Sequence, residues 1–147
     1  MRVLALLSAF LVLTAVAQSS SPEAEFIARY RKAHSDRDIA VLKSLRCLDR
    51  VPADDQSASD ARFYNLDQAI TSIRIVPANR WPIDGPCCDS SALFVRDGVR
   101  YELNLPVVAA LQIEYTPGEN SSRSESASPL GFKDCRYWLL SAVPASN

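Results

Sequence analysis

The segment 93–115, LFVRDGVRYELNLPVVAALQIEY, constrains the fold most, because it holds the clearest strand signals of the chain. Two apolar runs flank Asp97-Gly98, a dipeptide typical of the two-residue turn of a β-hairpin. After this turn, apolar and polar residues alternate, as in a strand with one face on a core. The residues predicted to face the core are Val99, Tyr101, Leu103 and Leu105, and those predicted to face solvent are Arg100, Glu102 and Asn104.

Pro106 is expected to end this strand, because proline has no backbone N–H to donate. Residues 107–115 then predict a further strand, with Leu111, Ile113 and Tyr115 on its core face. Two more strands are predicted at 70–76 and 136–143, the second of them apolar on both faces and therefore covered on both. Residues 117–128, rich in serine and glutamate, predict a mobile connection without core residues.

The first residues have the features of a secretory signal peptide. Arg2 supplies a positive start, residues 3–16 are almost wholly apolar, and Ala15-Val16-Ala17 fits the small-x-small cleavage rule. The apolar run is shorter than the about 20 residues that a membrane anchor needs. We therefore expect a signal peptide over 1–17 and a single mature domain over 18–147 without a membrane span, secreted or periplasmic.

Charge argues against several classes of partner. Loss of Arg2 with the signal peptide would change the formal net charge from −1 to −2. Without a basic excess to neutralise phosphates, nucleic acid is not an expected partner. No cofactor fingerprint or phosphate-binding glycine loop occurs, so no cofactor is expected.

The N-terminal third of the mature chain predicts helices. Ser20-Ser21-Pro22-Glu23 combines capping residues with a proline suited to a first helical turn. A second start signal, Ser35 to Asp38, precedes a stripe formed by Ile39, Leu42 and Leu45. Residues 61–69 predict a short third helix or an irregular packed turn. Helices followed by strands favour an α+β fold, with two or three N-terminal helices packed on a curved antiparallel sheet of four to five strands.

An even number of cysteines in an exported chain favours disulfides over metal binding. The four are Cys47, Cys87, Cys88 and Cys135. A bridge between the adjacent Cys87 and Cys88 would close a strained ring and is disfavoured. We expect at least one long-range disulfide that joins this pair to Cys47 or Cys135, and no metal site.

The layout resembles the nuclear transport factor 2-like (cystatin-like cone) superfamily, in particular its small exported members. The resemblance is carried by SDRDIAVLKSL at 35–45, by Arg100-Tyr101 through Pro106, and by GFKDCRYWLL at 131–140. It implies a cone in which a curved sheet and helices enclose a pocket. Cys135 stands where the turn glycine of the resembling pattern would be, which favours a different turn there and a thiol that is tied down.

The superfamily includes ketosteroid isomerases, polyketide cyclases and dehydratases, and also modules that only bind or dimerise, so the resemblance leaves function open. No nucleophile motif occurs, and His34 is the only histidine. The candidate catalytic residues implied for a cone pocket are Tyr30, His34 and Asp38, with Tyr101, Tyr115 and Glu114 as further side chains that could point inward. For each, a structural role is the preferred interpretation: a solvated or dipole-favoured residue at a helix end for His34, a helix cap for Asp38, and core packing for the tyrosines.

The sequence therefore favours an exported, non-enzymatic module that binds a small apolar ligand or a protein partner, with a homodimer also open. The alternative is a ketosteroid isomerase-like or polyketide cyclase-like enzyme that acts on a small apolar substrate in the cone. Asn120-Ser121-Ser122 forms a glycosylation sequon, whose use depends on the host.

Overall fold

The computed structural model describes residues 20–53, 64–78, 94–117 and 124–145, and it confirms the predicted α+β class. Two helices come first, α1 (Pro22–Ser35) and α2 (Ile39–Ser44). The described strands, in chain order, are β1 (Ile70–Pro77), β2 (Phe94–Arg96), β3 (Val99–Leu103), β4 (Ala109–Tyr115), β5 (Ser124–Lys133), β6 (Arg136–Leu139) and β7 (Ala142–Pro144).

Both helices begin at side-chain caps. The N–H of Ala24 donates to Ser21 Oγ at 3.2 Å, and Pro22 occupies the first helical position, where its missing N–H costs nothing. In the same way, Asp38 caps α2. The start signals in the sequence are thus confirmed, with Ser21 rather than Ser20 as the first cap.

The strands form two antiparallel sheets, whereas the sequence predicted one. The larger sheet has the order β1-β4-β5-β6, and the smaller has the order β2-β3-β7. The hairpin β2-β3 therefore does not join the sheet that the helices cover. A single parallel bridge, Arg46 to Leu139, attaches the segment after α2 to the free edge of β6.

Helix α1 lies across the larger sheet and contacts both of its edge strands, β1 and β6. The core lies between the helices and the inner face of this sheet. Its largest fully buried members include Tyr64, Leu42, Leu111, Ile113, Tyr115 and Leu130. The predicted burial of Leu111, Ile113 and Tyr115 is confirmed, and so is the packed turn at the end of 61–69, since Tyr64 is fully buried and Tyr64 to Ala69 form no α-helix.

Two tight hairpin turns have both central residues in the left-handed region. Asp97 and Gly98 have φ of 52° and 78°, which confirms the predicted turn between β2 and β3. Asp134 and Cys135 have φ of 54° and 60° between β5 and β6. The expectation that Cys135 would change this turn is wrong, because the two-residue connection imposes the left-handed conformation on whichever residue is there.

Residues 124–128 form the first half of β5, so the prediction of a connection through to residue 128 is wrong. Ser124, Ser126 and Ser128 pair with Tyr115, Ile113 and Leu111 of β4. Since directly paired residues share a face, these serines lie on the inner side of the sheet. Small hydroxyl side chains are tolerated there because this half of β5 is only partly buried. Residues 118–123, which include the Asn120 sequon, lie outside the described part of the chain.

The predicted last strand, 136–143, is two strands in two sheets. The strand β6 pairs with β5 and β7 pairs with β3, and the chain changes sheets at Leu140 and Ser141. Gly131 permits the close packing at this crossing, since a Cβ there would lie 2.8 Å from Leu140 Cδ2. The continuous apolar run therefore marks a crossing between sheets instead of one strand covered on both faces.

The burial predicted for β3 does not alternate along the strand, since Val99 and Arg100 are both exposed and Tyr101 to Leu103 are all partly buried. Val99 is 43% exposed on the predicted core face, whereas Asn104, predicted to face solvent, is 5% exposed. The strand ends at Leu103, so the period of two does not extend to Asn104. Within the described residues, no helix combines the length and apolarity needed to cross a membrane.

Candidate functional site

Three of the predicted site residues meet inside the core. The rings of Tyr30 and His34 stack with centroids 6.4 Å apart, and the His34 ring lies 5.9 Å from that of Tyr115. All three side chains are buried. Helix α1 supplies the first two at a spacing of four residues, and β4 supplies the third from the facing sheet.

Tyrosine hydroxyl groups are a polar part of this interior cluster of Tyr30, His34 and Tyr115. Tyr115 Oη lies 3.2 Å from Ser126 Oγ, within hydrogen-bonding distance. Burial, followed by the neighbouring Tyr115 and Tyr64, raises the pKa of Tyr30 far above its usual range. Tyr30 therefore stays neutral at physiological pH and is a packed core side chain instead of a base.

His34 lies in the last turn of α1, as the sequence predicted, but it is not solvated there. Its side chain is 5% exposed, and Nε2 lies 3.0 Å from the carbonyl oxygen of Tyr64. Since a carbonyl only accepts, Nε2 carries the proton and donates this bond. His34 thus holds the turn at Tyr64 against the end of α1, a positional role for a buried and hydrogen-bonded ring.

The other candidates lie elsewhere. Asp38 is exposed and accepts the N–H of Val41 on Oδ1 at 3.0 Å, as its interpretation as a cap predicts. Tyr101 lies half-buried in β3 of the smaller sheet. Glu114 pairs across β4 with Ser72 and Glu125, on the face of the sheet opposite to Ile113 and Tyr115. The interior cluster therefore contains no carboxylate from this candidate set.

A cleft lies between α1 and β6, outside the interior cluster. It encloses about 30 Å³, room for roughly two water-sized groups. Glu25, Phe26 and Arg29 line it from α1, and Arg136, Tyr137 and Trp138 line it from β6. The floor is aromatic, because Phe26 and Tyr137 contact edge to face with centroids 6.4 Å apart.

Two guanidinium groups give the α1–β6 cleft its electrostatic character. Arg29 donates to Ser44 Oγ at 3.0 Å, and the Arg136 guanidinium lies 3.7 Å from the centroid of the Trp138 ring. Neither forms an ion pair with another described residue. Glu25 is the acidic residue of the lining, so two positive charges face one negative charge. The cleft can thus accept an anionic group beside an aromatic surface.

A buried polar junction, which the sequence did not predict, fixes the place where the two sheets meet. Asn104 Nδ2 donates to the carbonyl oxygens of Cys47 and Asp49 at 2.8 and 3.2 Å, and Asn104 Oδ1 accepts the N–H of Ser141 at 3.0 Å. Ser141 Oγ donates to the same Cys47 oxygen at 3.0 Å and accepts from Arg46 Nη2 at 3.1 Å. Asn104 thus ties the segment after α2 to the sheet crossing. Pro106, which was expected to end this strand, lies three residues beyond its observed end at Leu103, and its position near Asn104 is the local sign that Asn104 leaves the alternation.

The described cysteines are both free thiols. Cys47 is buried and Cys135 is exposed in its turn. Burial raises the pKa of the Cys47 thiol, which makes it less reactive than an exposed thiol. Cys87 and Cys88 lie outside the described residues, so the disulfide stays a prediction. Among the residues described, no group of three or more His, Cys, Asp or Glu side chains is placed to hold a metal ion.

Comparisons of this chain with protein-family models, with curated proteins and with solved structures find no match.

Proposed function

We propose that the chain is an exported, non-enzymatic binding module of the nuclear transport factor 2-like type, and that its ligand site is the α1–β6 cleft. The observation that carries the proposal is the contrast between this cleft and the interior cluster. The cleft presents Arg29 and Arg136 to solvent beside an aromatic floor, whereas Tyr30, His34 and Tyr115 are buried against each other. A ligand that combines a flat apolar part with an anionic group fits the cleft.

Three small molecules of one shape and different charge test this site. Phenylacetate, phenylacetamide and phenethylamine share an aromatic ring but carry a negative, a neutral and a positive group. We expect phenylacetate to shift the NMR signals of Tyr137 and the Trp138 indole N–H, and phenethylamine to leave them unchanged. Arg136→Ala should weaken phenylacetate roughly tenfold, the scale of one charge-assisted hydrogen bond.

Arg74→Ala is the matched control for this experiment, since Arg74 lies on the opposite edge strand β1 and donates to Gln112. It should leave the shifts unchanged. Shifts that cluster instead at Tyr30, His34 and Tyr115 would contradict the cleft and place the ligand inside the cone.

The rival function is an isomerase or cyclase in the cone interior. The convergence of Tyr30 and His34 with Tyr115 supports it, since the cone resemblance implies a site between the helices and the sheet, where these three rings meet. Catalysis of this kind needs an acid or base that lines a space open to substrate. An enzyme in the cone interior would lose turnover on His34→Ala with the fold intact. Asp38→Asn, at the exposed cap of α2, should change neither turnover nor ligand affinity.

Export is tested on the protein recovered outside the cytoplasm. Its N-terminal sequence should begin near Gln18, and recovery of Met1 in the cytosolic fraction would contradict export.

Peptide mapping of the same sample without reductant should find a bridge from Cys87 or Cys88 to Cys47 or Cys135. A bridge to Cys47 would close a loop of about 40 residues, worth roughly 3–4 kcal/mol on the chain-entropy model. If peptide mapping found all four cysteines as free thiols, the predicted disulfide would be ruled out.

A further inference from the structure

The outer edge of β6 is used only in part by the chain itself. The N–H of Leu139 donates to the carbonyl oxygen of Leu45, and the carbonyl oxygen of Leu139 accepts the N–H of Cys47, both at 2.9 Å. The segment 45–47 therefore continues the larger sheet as a short parallel addition. The pairing with residues 45–47 shows that this edge has the geometry to bind an added backbone segment.

Tyr137 presents an unused pairing position on the same edge. It lies two residues before Leu139, so its N–H and carbonyl oxygen point in the same direction as those of Leu139. Among the described residues, no backbone bond joins these two groups, because α2 ends at Ser44 and the chain turns away from the edge there. The open pair of groups lies at the cleft that Tyr137 lines.

The charge beside this edge selects the kind of backbone that can pair there. Arg29 stands on the helix side and Arg136 on the strand side, one residue before Tyr137. Both long side chains can reach carboxylates on a segment that lies along β6, and the ring of Trp138 holds the Arg136 guanidinium in position. The single carboxylate of the lining, Glu25, repels an acidic occupant less than the two arginines attract it.

The size of the cleft also argues for a chain segment. A space of about 30 Å³ admits one functional group or part of one side chain, and leaves the rest of a ligand outside. An extended peptide meets this condition, since alternate side chains point away from the surface while the backbone pairs with the edge.

We propose that the occupant of the α1–β6 cleft is an extended acidic segment of a partner protein, which adds to the outer edge of β6 by backbone pairing at Tyr137. The inference rests on the proposed function of the cleft and names its partner class. Specificity comes from the two arginines, and the backbone pairing fixes the orientation of the segment.

The probe is a fluorescein-labelled peptide of alternating glutamate and valine, five residues long and blocked at both ends. We expect it to bind the mature protein, and the lysine counterpart not to bind. Arg29→Ala and Arg136→Ala should each weaken binding roughly tenfold, while Arg74→Ala on the far edge strand leaves it unchanged. Raising the salt concentration should weaken binding as well.

Backbone methylation of the peptide separates strand pairing from charge attraction. An N-methyl group removes one donor at a time, and in a paired strand only alternate N–H groups face the edge. We therefore expect a roughly tenfold loss at the one peptide position whose N–H donates to the Tyr137 carbonyl oxygen, and small changes at the other positions. Equal sensitivity at all positions, or none at any, would overturn the inference, as would equal binding of the lysine peptide.

These outcomes distinguish the two proposals. If phenylacetate binds at Tyr137 and Trp138 while the acidic peptide fails to bind, the cleft stays a ligand site and the peptide inference is wrong. If neither phenylacetate nor the peptide binds, the proposed function of the cleft is itself wrong.

Discussion

The sequences of β4 and β3 show the same alternation of apolar and polar residues, yet β4 is mostly buried and β3 is exposed or only partly buried. In β4, every residue except Gln112 and Glu114 is buried, between β1 and β5 and beneath α1. The hairpin of β3 leaves Val95 66% exposed and Val99 43% exposed. The alternation thus reports that a segment is a strand, and the elements that pack against the sheet decide whether its apolar face becomes a core.

The largest effect should come from removing core volume in β4. Leu111 is fully buried between the helices and the larger sheet, so Leu111→Ala should lower the free energy of unfolding by about 3–4 kcal/mol. Val95→Ala, on the exposed hairpin, should change it by less than about 0.5 kcal/mol. Urea unfolding of both variants measures the contrast, and similar losses would show that the hairpin is covered as well as β4.

A smaller loss is expected at the junction that joins the two regions. Asn104→Ala would leave the Ser141 N–H without its acceptor and remove the bonds that Asn104 donates to the Cys47 and Asp49 carbonyls, at a cost of about 2 kcal/mol. Hydrogen exchange of the Ser141 amide should become faster in the variant. Glu102→Ala, which removes an exposed ion pair with Arg50 nearby, is the control and should have little effect. An unchanged Ser141 amide would show that Asn104 does not hold the junction.

Loss of the α2 cap should lower the stability of the protein without changing ligand affinity at the α1–β6 cleft. Asp38→Ala removes the bond from the Val41 N–H and should cost about 1 kcal/mol of stability. Affinity for phenylacetate should stay unchanged, because Asp38 is not part of the cleft lining. A loss of affinity without a loss of stability would mean that Asp38 belongs to the site.

The smallest effect concerns an exposed ion pair at the end of the β5–β6 hairpin. Lys133 Nζ lies 2.5 Å from Asp49 Oδ2, and this bond holds the pKa of Asp49 below its usual range and raises the pKa of Lys133. Because the Asp49 pKa is lower in the folded state, its stabilising contribution is present above the unfolded value of about 3.9. It is lost as the pH falls through the folded pKa.

Carbonyl NMR titration checks this pair directly. Lys133→Met should move the Asp49 pKa back towards its usual value, whereas Lys32→Met, which breaks the separate pair with Asp36, should leave it unchanged. An Asp49 pKa that does not move in Lys133→Met would show that the pair is not formed in solution.

The local features of the fold could be predicted, because their causes lie within a few residues. Asp97-Gly98 forms its turn since both positions accept positive φ, and Pro22 and Ser21 start α1 through bonds three residues long. The burial of Leu111 and Ile113 followed from alternation within a single strand. These patterns carry their own physical reason and need no knowledge of the rest of the chain.

The features of the fold that the sequence did not predict depend on contacts between segments that are distant along the chain. His34 can be buried because the carbonyl of Tyr64, thirty residues later, accepts a hydrogen bond from its ring. Ser124 and Ser126 join a strand because β4 offers them a partner. The α1–β6 cleft likewise brings Arg29 beside Arg136 only after the sheet has formed, and no spacing in the sequence shows that they will meet.

The most direct test of the account compares one variant at the outer cleft with one in the interior cluster. Arg136→Ala and Tyr115→Phe are each measured for phenylacetate affinity by NMR titration, with unfolding curves to confirm that both variants are folded. We expect Arg136→Ala to weaken phenylacetate binding roughly tenfold and Tyr115→Phe to leave it unchanged. Loss of binding in Tyr115→Phe with full affinity in Arg136→Ala would contradict this expectation and place the ligand inside the cone.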